Sequence, residues 1–237
     1  MKYLSALTLS IGLMGCVTIT EQEQAESLST PIEMAESRIE LGLGYLENGS
    51  RIKARQNLEI ALQHAPHYYR SQLSMAHYFE TVGEKKSAAR LYQQALRDNP
   101  HNGNVLNNYG TFLCKEGDYA KADQFFIRAV EQPYYYLIPA SYENAAFCAL
   151  KANDALKAKQ YFKRALEHDP TRMNSLLQLA KLQMDDNEFN SARIHLMQLH
   201  QRYGYQKASL QLLIELEQRA GNHALEKKYQ TLLDNLS

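Results

Sequence analysis

The strongest constraint in this 237-residue sequence is a period of 34 residues. Pro66 and Pro100 stand one period apart. Ala54, Ala88, Ala122, Ala158 and Ala192 keep one phase, with a single two-residue slip between the third and fourth. Ala61, Ala95, Ala129 and Ala165 keep a second phase. Leu58, Tyr92, Phe126, Phe162 and Leu196 keep a third. Small residues at fixed offsets let two helices approach closely, and the larger apolar ones fill the space between units. Glycine or asparagine recurs where a helix must end, at Asn48-Gly49, Val82-Gly83, Glu116-Gly117 and Asn153-Asp154. Pro66, Pro100 and Pro170 stop the following helix. No single pair of helices can bury its own apolar face, so neighbouring pairs must stack to make a core.

This pattern resembles the tetratricopeptide repeat, a pair of antiparallel helices A and B. It predicts an all-α superhelical solenoid of about six such pairs, near residues 35–68, 69–102, 103–138, 139–172 and 173–206, with a degenerate pair at 207–237. Glycine and proline are sparse, tryptophan is absent, and nearly half the residues are apolar, as such a helical array needs. The 26 basic and 26 acidic side chains balance. That balance lacks the basic footprint of a nucleic-acid binder and leaves proteins as the expected partners.

Residues before the repeats read differently. Lys2 precedes an apolar run from Tyr3 to Leu13, the length of a signal-peptide core and too short to span a bilayer. Leu13-Met14-Gly15-Cys16 resembles the bacterial lipobox, although Met14 is larger than the usual residue there. The resemblance implies a signal peptide over 1–15 and acylation of Cys16. An ordinary secretory signal with an incidental cysteine is the alternative. Two or three acyl chains would hold the protein on a membrane. Val17 stands where an aspartate commonly marks inner-membrane retention, so the resemblance favours the outer membrane, facing the periplasm. Residues 16–34 are expected to form an acidic tether holding the repeats roughly 20 Å from the lipid.

With Cys16 acylated, Cys114 and Cys148 remain as an even pair in an oxidising compartment. They occupy corresponding heights on adjacent A helices, so a disulfide stapling repeats three and four is open to them, two buried thiols being the alternative. The slip in the period falls beside them, in Gln132-Pro133-Tyr134-Tyr135-Tyr136-Leu137-Ile138-Pro139. That joint is either a kinked, packed connection or one that displays Tyr134, Tyr135 and Tyr136 to a partner.

Catalytic chemistry has no foothold. The sequence lacks GxSxG, a phosphate loop and HExxH, and Asp185-Asp186 falls in an expected turn. His64 with His67, and His195 with His200, lack the spacing of a metal site. Neither a cofactor nor a small-molecule substrate is expected. The candidate binding site is the concave surface, through Leu73, His77, Glu80, Asn107, Thr111, Glu143, Phe147, Leu177 and Lys181 on the A helices. The Lys/Asn/Lys/Arg set that clamps a C-terminal carboxylate is missing, so an extended or helical protein segment is the better fit.

A lipobox, a short acidic tether and six repeat-like pairs together resemble the PilF/PilW group of type IV pilus biogenesis lipoproteins. Leu106-Asn107-Asn108-Tyr109-Gly110-Thr111-Phe112-Leu113-Cys114 and Asn144-Ala145-Ala146-Phe147-Cys148 look like that group's third and fourth repeats. The resemblance implies a pilotin, which carries secretin subunits to the outer membrane and promotes their ring assembly. A general envelope scaffold gathering cell-wall enzymes or outer-membrane assembly factors is the alternative, and an enzyme with an unrecognised site is a third reading.

Overall fold

The computed structural model describes residues 29–236, and within them twelve α-helices and no strand. They pair as α1 (Pro31–Glu47) with α2 (Arg51–His64), α3 (Tyr69–Thr81) with α4 (Lys85–Asp98), and α5 (Gly103–Lys115) with α6 (Tyr119–Val130). The array continues with α7 (Ile138–Lys151) and α8 (Ala155–His168), α9 (Met173–Asp185) and α10 (Phe189–Tyr203), and α11 (Lys207–Arg219) and α12 (His223–Asp234). The fold is the tetratricopeptide-type solenoid that the period predicts. Residues 207–236 complete it as a sixth hairpin, with Leu210, Leu213 and Leu216 fully buried.

Each hairpin turns by the same device. Gly49, Gly83, Gly117, Asn153, Asn187 and Gly221 all have positive φ, between 58° and 87°. The residue after each donates its N–H to the carbonyl five positions back, as in Ser50 N to Tyr45 O at 2.8 Å and Asn222 N to Glu217 O at 2.8 Å. Such a left-handed terminus satisfies carbonyls that the helix end would orphan, and glycine or asparagine tolerates it best. Asp185 and Asp186 are the last helical residue and the cap of α9, and Asn187 makes the turn.

Helix α1 begins at Pro31, four residues before the expected start at 35. Thr30 and Glu33 form a capping box: Thr30 Oγ1 accepts from the Glu33 N–H at 3.2 Å, and Glu33 Oε2 accepts from the Thr30 N–H at 2.7 Å. Pro31, with its fixed φ and absent N–H, suits the first helical position. Residues 31–34 therefore belong to the first repeat and not to the tether. The leader, Cys16 and residues 16–28 lie outside the described residues.

The core is built at the offsets that define the period. Ala54, Ala88, Ala122, Ala158 and Ala192 are fully buried, as are Leu58, Phe162 and Leu196. Gly42 shows why the paired position on helix A is small: a Cβ there would sit 2.6 Å from Leu58 Cγ. Clusters span hairpins, as where Ala76, Ala88 and Tyr92 pack with Val105 and Phe112 of the next pair.

Candidate protein-binding groove and central joint

The A helices place the expected groove residues on one side of the array, but in two different states. Around Leu73 and His77 the surface is open. Leu73 and His77 line a cavity of about 600 Å³ together with Tyr69, Asn104, Asn108 and Tyr136. Leu43 of α1 and Arg70 close it, Arg70 being held by Glu36 Oε2 at 2.5 Å. The amide of Asn108 donates to Asn104 O at 2.8 Å, which leaves its own oxygen free to accept.

The other expected groove residues, beginning with Glu80 on α3 itself, mostly hold the protein to itself. Glu80 accepts from the Tyr92 hydroxyl at 3.0 Å and pairs with Lys115. Asn107 Oδ1 accepts from Ser141 Oγ at 2.9 Å and Asn144 Nδ2 at 3.2 Å, bracing α5 to α7. Thr111 Oγ1 donates back to Asn107 O at 3.0 Å. Glu143 is buried, its two oxygens taking the Arg172 guanidinium and the Ser175 hydroxyl, each at 2.6 Å. Burial pushes the Glu143 carboxyl upward, yet those donors outweigh it and hold it below its ordinary value. Phe147 packs edge-on to Phe162 at 5.2 Å, and Leu177 packs against the core of the last two repeats. Lys181 alone of this second group is exposed without an ion pair among the described residues.

The three tyrosines of the joint separate in the same way. Tyr135 is buried, not displayed. Its hydroxyl lies 2.7 Å from Ser141 Oγ, and its ring covers Gly103 so closely that a Cβ there would fall 2.4 Å from Tyr135 Cδ2. Tyr134, at φ 61°, is fully exposed. Tyr136 is 78% exposed and reaches the open cavity. The joint is thus a packed connection through Tyr135 that also presents Tyr136 to the groove.

Cys114 and Cys148 are disulfide-bonded, with Cα atoms 5.8 Å apart. They stand 34 residues apart, two short of the spacing between equivalent positions of these two repeats, and the packing of α5 beside α7 brings them together. The bridge spans the irregular joint. The histidines go elsewhere: His67 meets Asp98 Oδ2 at 3.0 Å, His195 meets Gln183 Oε1 at 2.8 Å, and His200 meets Ser209 Oγ at 2.7 Å. Among the described residues no group of three or more His, Cys, Asp or Glu is placed to hold a metal ion, and no helix is long and apolar enough to cross a membrane.

Arg70, Asn104 and Asn108 escaped the pattern reading. Arg70 and Asn104 are 34 residues apart, as are Ser74 and Asn108, so these positions form stripes parallel to the expected ones. That shared spacing was the signal for them.

Known proteins share this fold. Residues 91–124 and 149–204 match tetratricopeptide repeat families. Over 208 residues the sequence is 32% identical to the type IV pilus assembly protein PilF of Pseudomonas aeruginosa, covering 88% of this chain and 82% of that protein. The chain belongs to the PilF family of type IV pilus assembly proteins. A solved structure of Pseudomonas aeruginosa PilF superimposes with a TM-score of 0.74 at 30% identity, over 87% of this chain and 93% of that one. The crystal structure of PilW, a widely conserved type IV pilus biogenesis factor, shares the fold at a TM-score of 0.71 and 23% identity, over 85% and 92%. The PilF-family fold is a scaffold of stacked hairpins, and in this member the cavity lined by Leu73, His77 and Tyr136 lies on the A-helix side of the first three of them.

Proposed function

We propose that this protein is a lipid-anchored outer-membrane pilotin, which binds secretin subunits and promotes their localisation and multimerisation for type IV pilus biogenesis. The observation that carries the reading is membership of the PilF family over most of the chain. The geometry supplies a means. Tyr69, Leu73 and Tyr136 offer apolar surface beside the amides of Asn104 and Asn108. That mixture suits an extended segment, whose backbone groups the amides can satisfy while its side chains bury against the rings. An acylated Cys16 would add tethering, raising the local concentration of client at the membrane without any new contact. Neither step draws on a cofactor.

The test is deletion of the gene, followed by inspection of secretin multimers and their membrane of residence. Loss or misplacement of multimers is expected, restored by the wild-type gene and not by one carrying Asn104→Arg with Tyr136→Ala. Correctly placed multimers in the deletion strain would refute the pilotin reading and leave a general envelope scaffold. Cys16→Ala is expected to release the protein from the outer membrane, and continued outer-membrane fractionation of that variant would overturn lipid anchoring.

A further inference from the structure

The outward side of α4 carries a charge pattern that α2, α6, α8 and α10 do not share. Lys86, Arg90, Gln93 and Arg97 recur at intervals of four, three and four, so they form one stripe along the helix. The equivalent stripes of α2, α6 and α10 hold no Lys or Arg, and that of α8 holds only Lys163. Lys86, Arg90 and Arg97 are all exposed. Among the described residues the side chains of Lys86 and Arg90 have no ion pair or hydrogen bond, and Arg97 donates only to Gln94 Oε1, at 2.6 Å.

The carboxylates nearby are already engaged. Glu59 on α2 takes Arg55 Nε at 2.8 Å, and Glu84 at the start of α4 accepts from Ser87 Oγ at 3.3 Å. Asp98 is held by Gln72 and Gln94. Together α2 and α4 carry seven Lys and Arg against Glu59 and Asp98, in a chain whose charges balance. Arg51 and Lys53 extend the positive surface onto α2, before and after Ile52, which is 76% exposed. A cavity of about 480 Å³ opens between α2 and α4, lined by Leu62, Met75, Phe79 and Leu91, with Arg90 and Arg97 also in its wall.

We propose that the outward face of α2 and α4 docks on an anionic phospholipid surface, with Lys86, Arg90 and Arg97 meeting lipid phosphates and Ile52 entering the acyl boundary. A protein segment settles in a groove that can satisfy its backbone. This face instead projects its cations in a row, which suits a layer of headgroups. Each Lys or Arg near such a layer adds to binding, and cations flanking an exposed aliphatic side chain are the mixture that interfacial helices use. Guanidinium groups match phosphate oxygens, and the apolar cavity beside Arg90 and Arg97 can take part of an acyl chain below a phosphate so held. The choice of a membrane as occupant rests on the acylated Cys16 of the reading above. Cys16 stands fourteen residues before Thr30, so at most about 50 Å of chain would separate α1 from the lipid. Docked in this way, the cavity lined by Leu73 and His77 opens on the A-helix side, away from the membrane.

The probe is phosphatidylcholine vesicles containing about 30% phosphatidylglycerol, sedimented with the mature chain carrying Cys16→Ala, so that no acyl chain contributes. Binding is expected at low salt and is expected to fade as salt rises, because the cations are exposed. Pure phosphatidylcholine vesicles are expected to bind at least about tenfold more weakly. Lys86→Gln/Arg90→Gln/Arg97→Gln is expected to keep the wild-type melting temperature and weaken binding about a hundredfold. Lys207→Gln/Lys227→Gln/Lys228→Gln removes the same charge from exposed positions of the last hairpin and is expected to bind as wild type does. The chain has no tryptophan, so Ile52→Trp is a lone fluorophore, and its emission is expected to move to the blue on the anionic vesicles. Failure to sediment with anionic vesicles at low salt, or equal losses in the two triple variants, would sink the proposal. Capture of a polyglutamate peptide without vesicle binding would also sink it, giving the face to an acidic protein. The vesicle measurement stands apart from the anchor, so fractionation of the Cys16→Ala variant in cells can fail without it, and the reverse.

Discussion

Removing the disulfide between Cys114 and Cys148 is expected to lower stability by about 3.5–4 kcal/mol, the chain-entropy cost of closing a loop of 34 residues. The structure gives two reasons to expect the full effect. The bonded residues lie on helices already stacked side by side, so the link imposes no long reach. It also spans the joint, where Tyr135 and the bond from Ser141 to Asn107 add to apolar contacts between the two hairpins. For a chain of this length each kcal/mol corresponds to about 2–4 °C, so the double variant Cys114→Ala/Cys148→Ala should melt roughly 8–15 °C lower. The assay is circular dichroism at 222 nm during heating, with wild type under oxidising and reducing conditions as a second comparison. Reduced wild type should approach the variant. Equal melting temperatures for oxidised, reduced and double-alanine protein would refute the reasoning, because they would mean that the stacked helices alone hold the joint.

Other expectations follow from single contacts. Gly103→Ala should cost about 1–3 kcal/mol in denaturant titration, since the added methyl overlaps the Tyr135 ring and must displace it. Thr30→Ala should cost about 1 kcal/mol and speed amide exchange in the first turn of α1, because it removes the side-chain cap. Asp98 accepts from His67, Gln94 and Gln72, and these hydrogen bonds hold its carboxyl down at about 2. A folded-state pKa depressed below the unfolded value contributes stability that is present above about 3.9 and fades as pH falls through about 2. Asp98→Asn should therefore flatten the stability profile across that window, measured by urea titration at several pH values, and an unchanged slope would count against the bonds.

The repeat positions and their spacing were enough to place the hairpins, because each signature residue acts locally: a small residue where helices touch, a left-handed turn where one ends. The disulfide partners were legible because both stand on the A helices of neighbouring repeats and form an even pair once Cys16 is set aside. The start of α1 was less so. Thr30 and Glu33 carry a capping signature, but they precede the first periodic position and were read with the acidic stretch before them. The groove was legible only in part. Periodicity gives which residues face the A-helix side, but not whether a polar one meets solvent or a partner in the next repeat. Glu143 and Asn107 face that side and are occupied there by Arg172, Ser175, Ser141 and Asn144, contacts set by residues 29 to 37 positions away. Tyr135 and Tyr136 are neighbours in a run of three, and only the path of the backbone through Tyr134 decides which of them turns inward.

The bridge at Cys114 and Cys148 also sets how the array responds to load. A stack in which each hairpin touches mainly its neighbours yields to tension one unit at a time, from whichever end is pulled. Drawn from the amino end, unravelling would take α1 to α4 first, and with them much of the open cavity, and would then meet a covalent stop. Drawn from the carboxyl end, α12 to α9 would go first while the cavity stayed whole. One cross-link at the middle therefore makes the fate of the cavity depend on which end is pulled.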